Sequence, residues 1–228
     1  MTRRKQTKGT CTFCGREMSR SGLGKHLQSC PQRQEAVATA AGAKAGDEQP
    51  LYHLLVHDAY DSNFWLHLEM NGRATLKHLD QYLRAIWLEC CGHMSQFSVG
   101  GWSGREIGMS RKIESVLSPD LTLTHIYDFG TPSETVIKSV SVRDGAPLTK
   151  HPIHLMARNN MPEAVCTECG AVAAWYCMDC LVEQGEWITL CANHLDVHDH
   201  DDYGGPSPLI NSPRLGMCGY EGPADPPY

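Results

Sequence analysis

The chain has 228 residues, 41% of them hydrophobic, which is the composition of an ordinary globular protein with one medium-sized core and small satellites. No apolar run approaches the roughly 20 residues that a membrane span needs, and the basic start lacks the apolar centre of a signal peptide; we therefore expect a cytoplasmic protein without a membrane partner. The net charge of −6 is uneven, because residues 1–34 carry eight Lys or Arg against one acidic residue, whereas the rest carries 12 basic and 25 acidic residues.

The cysteine count favours metal binding. The chain has 11 cysteines, and the cytosol keeps thiols reduced, so a disulfide framework would require a secreted protein instead. Most of these cysteines stand in pairs with each other or with histidines at spacings that suit zinc. The sequence therefore predicts zinc as the cofactor, about three ions in a structural role.

The first ligand cluster lies in the basic segment, residues 1–34. Cys11 and Cys14 form a pair on a tight turn that Gly15 permits, and His26 and Cys30 are four residues apart, so on a helix they share a face. This C-x2-C-x11-H-x3-C pattern resembles the C2HC variant of zinc fingers. The finger either serves only as a fold staple or contacts nucleic-acid phosphates through its basic side chains, which are Arg3, Arg4, Lys5, Arg16, Arg20 and Lys25.

Residues 35–50 are predicted to be mainly a linker, and residues 51–160 to form the core domain. Runs of β-forming residues predict strands at 51–56, 63–70, 92–99, 121–127, 135–142 and 153–156. Apolar positions at three- and four-residue steps predict an amphipathic helix from Thr75 to near Glu89, and a shorter helix at 110–117. Strands and helices that do not strictly alternate predict an α+β fold, with a mainly antiparallel sheet and packed helices between two small zinc modules.

Residues 52–142 resemble the plasmid pRiA4b ORF-3-like family of insertion-element passenger proteins. The resemblance is carried by Phe64-Trp65, the helix from Thr75-Leu76 to Trp87, His93-x3-Phe97 and Tyr127-Asp128-Phe129-Gly130, and residues 211–220 resemble the end of zinc-bearing members. The chain departs from the family pattern at Leu66-His67 and at Thr131-Pro132-Ser133. The resemblance implies the fold more firmly than a function.

The second ligand cluster occupies residues 161–202. It contains the pairs Cys166/Cys169, Cys177/Cys180, Cys191/His194 and His198/His200, a succession that resembles B-box and related cross-brace zinc modules. That resemblance implies one ion held by Cys166, Cys169, Cys191 and His194, and a second held by Cys177, Cys180, His198 and His200. A sequential pairing, with the first four cysteines around one ion, is the alternative. Residues 203–228 form a tail rich in proline and glycine, predicted to be partly docked.

These features predict a non-enzymatic zinc-binding adaptor. Its basic finger would contact nucleic acid or a nucleoprotein such as the ribosome or a mobile-element complex, and its acidic zinc module would bind protein. The alternative is an enzyme whose cleft uses Cys91, His93 and Asp128, with zinc only as scaffold. Cys90, Cys91 and His93 could instead join Cys218 in a further metal site, or the two cysteines could simply end a helix as small buried residues.

Overall fold

The structure is a computed structural model that describes residues 7–43, 48–118, 121–200 and 205–225. The chain forms two compact units. Unit 1 comprises residues 1–84 and 93–160, and unit 2 comprises residues 85–92 and 161–228. The predicted α+β class with a mainly antiparallel sheet is confirmed, and the division into five segments stays a prediction.

Unit 1 is built on a nine-stranded sheet in which every pairing is antiparallel. Its helices are α1 (Arg20–Ser29), α2 (Pro31–Ala43) and α3 (Leu76–Leu83). Its strands are β1 (Lys8–Cys11), β2 (Glu17–Ser19), β3 (Gln49–Asp58), β4 (Trp65–Asn71), β5 (Ser95–Val99), β6 (Arg105–Ile107), β7 (Thr122–Tyr127), β8 (Ser133–Gly145) and β9 (Ile153–Asn159). They lie in the order β2-β1-β9-β4-β3-β8-β7-β5-β6.

The six strands predicted for the core are present, but some helical segments differ from expectation. Thr75 caps α3 as predicted, with its backbone N–H donating to His78 Nδ1 at 3.1 Å. The α-helix ends at Leu83 and the chain continues as a π-helical turn through Leu88. The helix expected at 110–117 is reduced to one 3-10 turn, Ile113–Ser115. Helix α2 is separate from α1 and spans Pro31–Ala43, so residues 35–43 of the predicted linker are helical.

Strand β4 is buried on both of its faces. Side chains alternate along a strand, so Leu66, Leu68 and Met70 face one side of the sheet, and Trp65, His67 and Glu69 face the other. All six are at most 4% exposed. The second side is covered by α1 and α2, since His67 Nε2 lies 3.1 Å from the carbonyl oxygen of Arg20, and Glu69 accepts a hydrogen bond from Arg33 at 2.8 Å.

The finger is part of the core of unit 1. Strand β1 pairs with β9, placing Cys11 opposite Ala157. The buried ligands of the finger then share one apolar cluster with side chains of the large sheet and of α1, namely Leu23, Leu27, Trp65, Met156 and Ala157. At Gly9 a Cβ atom would lie 2.2 Å from the indole of Trp65, so only glycine fits this close approach.

Unit 2 has short elements. Strands β10 (Trp175–Cys177), β11 (Thr189–Leu190) and β12 (Pro206–Pro208) form a three-stranded sheet in the order β11-β10-β12, and α4 spans Ala192–Leu195. The tail is built into this unit, because β12 pairs with β10 and both Arg214 and Tyr220 are buried. Among the described residues, no helix combines the length and apolar character required to cross a membrane.

Candidate metal centres

The finger residues converge on one point. A hairpin of β1 and β2 carries Cys11 and Cys14, with the turn completed by Gly15 at φ 72°. Helix α1 carries His26, and Cys30 follows its last residue. The four ligand atoms all lie within 4.8 Å of one another, and Cys14 Sγ is 3.1 Å from His26 Nε2. This set of four is positioned to bind one metal ion.

The eight ligands of unit 2 fall into two groups with interleaved partners. Cys166, Cys169, Cys191 and His194 form one group, and Cys177, Cys180, His198 and His200 form the other. Within each group the ligand atoms lie within 4.8 Å of one another. The first pair along the chain thus meets the third, and the second meets the fourth, which is the arrangement that the cross-brace resemblance implies.

Three distances between ligand atoms in these groups lie close to the edges of a zinc tetrahedron, whereas Cys180 Sγ and His200 Nδ1 are closer together, at 3.2 Å. Zinc bond lengths of about 2.3 Å to sulfur and about 2.0–2.1 Å to nitrogen give tetrahedral edges of roughly 3.8 Å between two sulfurs and roughly 3.6 Å between sulfur and nitrogen. Cys169 and Cys191 have their Sγ atoms 3.7 Å apart, and Cys166 Sγ lies 3.6 Å from His194 Nδ1. In the second group, Cys177 Sγ lies 3.5 Å from His200 Nδ1. The spacing fits a tetrahedral ion.

Backbone amides stabilise the thiolate form of one of these ligands, Cys166. Desolvation raises the pKa of the Cys166 thiol, but N–H groups of Cys191, Cys169 and Glu168 favour the thiolate and together lower the pKa to about 6. Burial dominates at Cys11 and Cys180, where it raises the pKa to about 11. A bound cation would overcome that cost, because the thiolate is the form that ligates metal.

The basic residues proposed for nucleic-acid contact differ in exposure. Arg16 and Lys25 are exposed on the finger, whereas Arg20 is half-buried at the start of α1, where its backbone carbonyl meets His67. Arg3, Arg4 and Lys5 lie outside the described residues. Within the part of the finger that the structure describes, Arg16 and Lys25 are the two named cations that are exposed.

Unit 2 has the opposite charge character. Its segments contain twelve acidic residues and one basic residue, Arg214, for a formal net charge of −11. The Arg214 side chain is fully buried. Exposed carboxylates include those of Glu163, Glu168, Glu183 and Glu186. The surface of this unit consequently presents negative charge without an arginine or lysine among its exposed described residues.

The residues of the enzyme alternative are divided between the units. His93 Nε2 lies 3.4 Å from Asp128 Oδ2 in unit 1, and Cys91 belongs to unit 2, where it is exposed rather than buried. Asp128 also makes a turn: its Oδ1 accepts hydrogen bonds from the backbone N–H groups of Gly130 and Thr131, and its own φ is 65°. His93 and Asp128 are therefore close together, and the Asp128 carboxylate also has a structural role in the turn.

A buried polar network in unit 1 was not predicted from the sequence. Asp80 on α3 accepts hydrogen bonds from Ser95 at 2.6 Å and Arg84 at 3.0 Å, and it lies 2.8 Å from the Nε2 atom of the fully buried His125. The Arg84 guanidinium also stacks over Tyr127, 4.8 Å from the ring centroid. These side chains link α3 to β5 and β7. The only local signal for the network is an Asp-x3-Arg pair on one helix face.

No protein-family model matches the chain, and no curated protein matches it. Among solved structures, a protein of unknown function, MM3350 from Methanosarcina mazei Go1, is similar with a TM-score of 0.41 and 14% sequence identity. The similarity covers 54% of this chain and 75% of that one.

Proposed function

We propose that this protein is a zinc-dependent adaptor with no catalytic role, and that its α+β core is of the pRiA4b ORF-3-like type. The observation that carries the proposal is the set of three clusters described above, each with four protein ligands. Structural zinc sites are closed by four protein ligands, whereas catalytic zinc keeps a position for water or substrate. Twelve ligands for three ions therefore favour a scaffolding role for the metal.

The charge distribution supports two binding surfaces of opposite sign. The finger, with Arg16 and Lys25 exposed, contacts the phosphates of a nucleic acid or nucleoprotein. Unit 2, with a formal charge of −11, binds a protein partner that presents lysine and arginine.

An oligolysine peptide should bind the full chain in low salt and be released in high salt, because salt screens the attraction between the peptide and the acidic surface of unit 2. Isothermal titration calorimetry measures this binding. Absence of binding would contradict the proposal that unit 2 binds a basic protein partner.

Neutralising the finger is expected to weaken nucleic-acid binding and to reduce its salt dependence. Each phosphate contact contributes a slope of about 0.9 to the logarithmic dependence of affinity on salt for B-DNA, so the Arg16→Gln/Lys25→Gln variant should lose a slope of about 1.8. Fluorescence polarisation with labelled duplex DNA, single-stranded DNA and RNA across a salt series measures this. The three probes also identify which nucleic acid binds most tightly.

A matched control changes the net charge of the protein by the same amount at positions outside the finger. Lys77 and Arg105 are exposed cations elsewhere in unit 1, so the Lys77→Gln/Arg105→Gln variant carries the same loss of two charges. It should retain the wild-type slope. Equal losses in both variants would point to unspecific attraction, and binding without any salt dependence would contradict the electrostatic account.

A further inference from the structure

Three more cysteines lie together in unit 2, outside the three clusters assigned above. The thiols of Cys90, Cys91 and Cys218 fall within 4.8 Å of one another. The Sγ atoms of the adjacent Cys90 and Cys91 are 3.7 Å apart, which is close to the sulfur–sulfur edge of roughly 3.8 Å expected around tetrahedral zinc. Neither vicinal thiol is in a disulfide.

The tail is fastened beside these cysteines by buried contacts. Ser212 Oγ donates to the carbonyl oxygen of Trp87 at 2.7 Å, and it accepts from the backbone N–H of Arg214 at 2.9 Å. The buried Arg214 guanidinium lies 3.4 Å from Cys90 Sγ. These contacts hold the tail segment before Cys218 next to Cys90.

Cys218 has a backbone conformation that L-residues seldom adopt. Its φ is 51°, between Gly216 at φ 80° and Gly219 at φ 66°. A non-glycine residue at positive φ is retained where the surrounding structure requires that position of the side chain, often at a functional site. Here the tight turn presents the Cys218 thiol to the other two.

We propose that Cys90, Cys91 and Cys218 bind a fourth zinc ion as three of its ligands. Binding displaces the thiol protons to solvent, and the site gives every one of the 11 cysteines a ligand role. This inference goes beyond the proposed function, which involves three ions. It also replaces the nucleophilic role considered for Cys91 with a coordinating one.

Metal analysis and thiol titration of the full-length protein test the site. Wild-type protein should hold four zinc equivalents by elemental mass spectrometry, and no thiol should react with Ellman's reagent under native conditions. Because Cys91 is exposed, Cys91→Ser should remain folded by circular dichroism, hold three equivalents and expose two reactive thiols. Cys218→Ser, as a second variant, should give the same result. Met94→Ser is the control, since it removes another exposed sulfur side chain nearby in sequence and should hold four.

Each other outcome has a distinct meaning. Three equivalents in the wild type, with three reactive thiols, would overturn the fourth site and leave the proposed function standing. A wild-type mass two daltons below that of the all-thiol chain would indicate a disulfide in place of metal and would also overturn it. Wild-type protein that takes up no zinc would contradict both the fourth site and the zinc-dependent adaptor.

Discussion

Removal of zinc with a strong chelator is expected to unfold the metal-binding part of unit 2 while the large sheet of unit 1 stays folded. The elements of unit 2 are very short, with three residues in β10, two in β11 and four in α4. Several of its buried side chains are themselves cluster thiols, namely Cys166, Cys177, Cys180 and Cys191. Structural zinc in small modules supplies about 10–16 kcal/mol of apparent folding free energy, which exceeds what such a small apolar core provides.

Hydrogen exchange measured by mass spectrometry, before and after chelation, tests this expectation. Amides of Trp175–Cys177 and Thr189–Leu190 should lose protection. Amides of β3 and β8, which pair over ten positions in the middle of the large sheet, serve as the internal control and should keep it. If unit 2 kept its protection after elemental analysis showed that the metal was gone, zinc would not be what holds it together.

Replacing Trp65 with alanine should destabilise unit 1 by about 3–5 kcal/mol and should also weaken metal binding by the finger. Trp65 is 1% exposed and lies in the same apolar cluster as the ligands Cys11 and Cys30. The cavity left by the indole removes contacts from the sheet and from the finger together. Denaturant unfolding of the zinc-loaded protein gives the first quantity, and zinc retention against a competing chelator gives the second.

Trp102→Ala is the matched control for this substitution. Trp102 is in the same unit, is 43% exposed, and makes one edge-on ring contact with the half-exposed Phe129. Its loss should cost about 1 kcal/mol and leave zinc retention unchanged. A Trp65→Ala variant that matched this control in both measurements would mean that finger and sheet are not energetically coupled.

Local spacing was enough to predict the ligand pairs and most core strands. His26 and Cys30 share a helix face, and each C-x2-C pair sits on one tight turn, so only a few residues determine where the ligand atoms point. The alternation of side chains between the two faces of the strand in residues 63–70, and the capping residue Thr75, are likewise signals contained in a short stretch of sequence. In these cases, the residues that determine the structure all lie within one helix, strand or turn.

The merging of the finger with the core could not be predicted in this way. Thr12 donates a hydrogen bond to the carbonyl oxygen of Met156, 144 positions away, and Glu69 pairs with Arg143, 74 positions away. Strands β1 and β2 have only four and three residues, too few to display an alternating pattern. His67 and Glu69 are polar, so the sequence predicts that this side of β4 faces solvent. Nothing near them in sequence indicates the helices that cover it.

The position of β1 and β2 also bears on self-association. The large sheet ends on each side in a strand of only three residues, β2 and β6, and such short outer strands offer little backbone for another chain to pair with. The seven-residue β9 lies directly inside the finger hairpin. Without the finger, β9 would become an exposed edge strand of the sheet. The finger therefore also protects the sheet from pairing with strands of other chains.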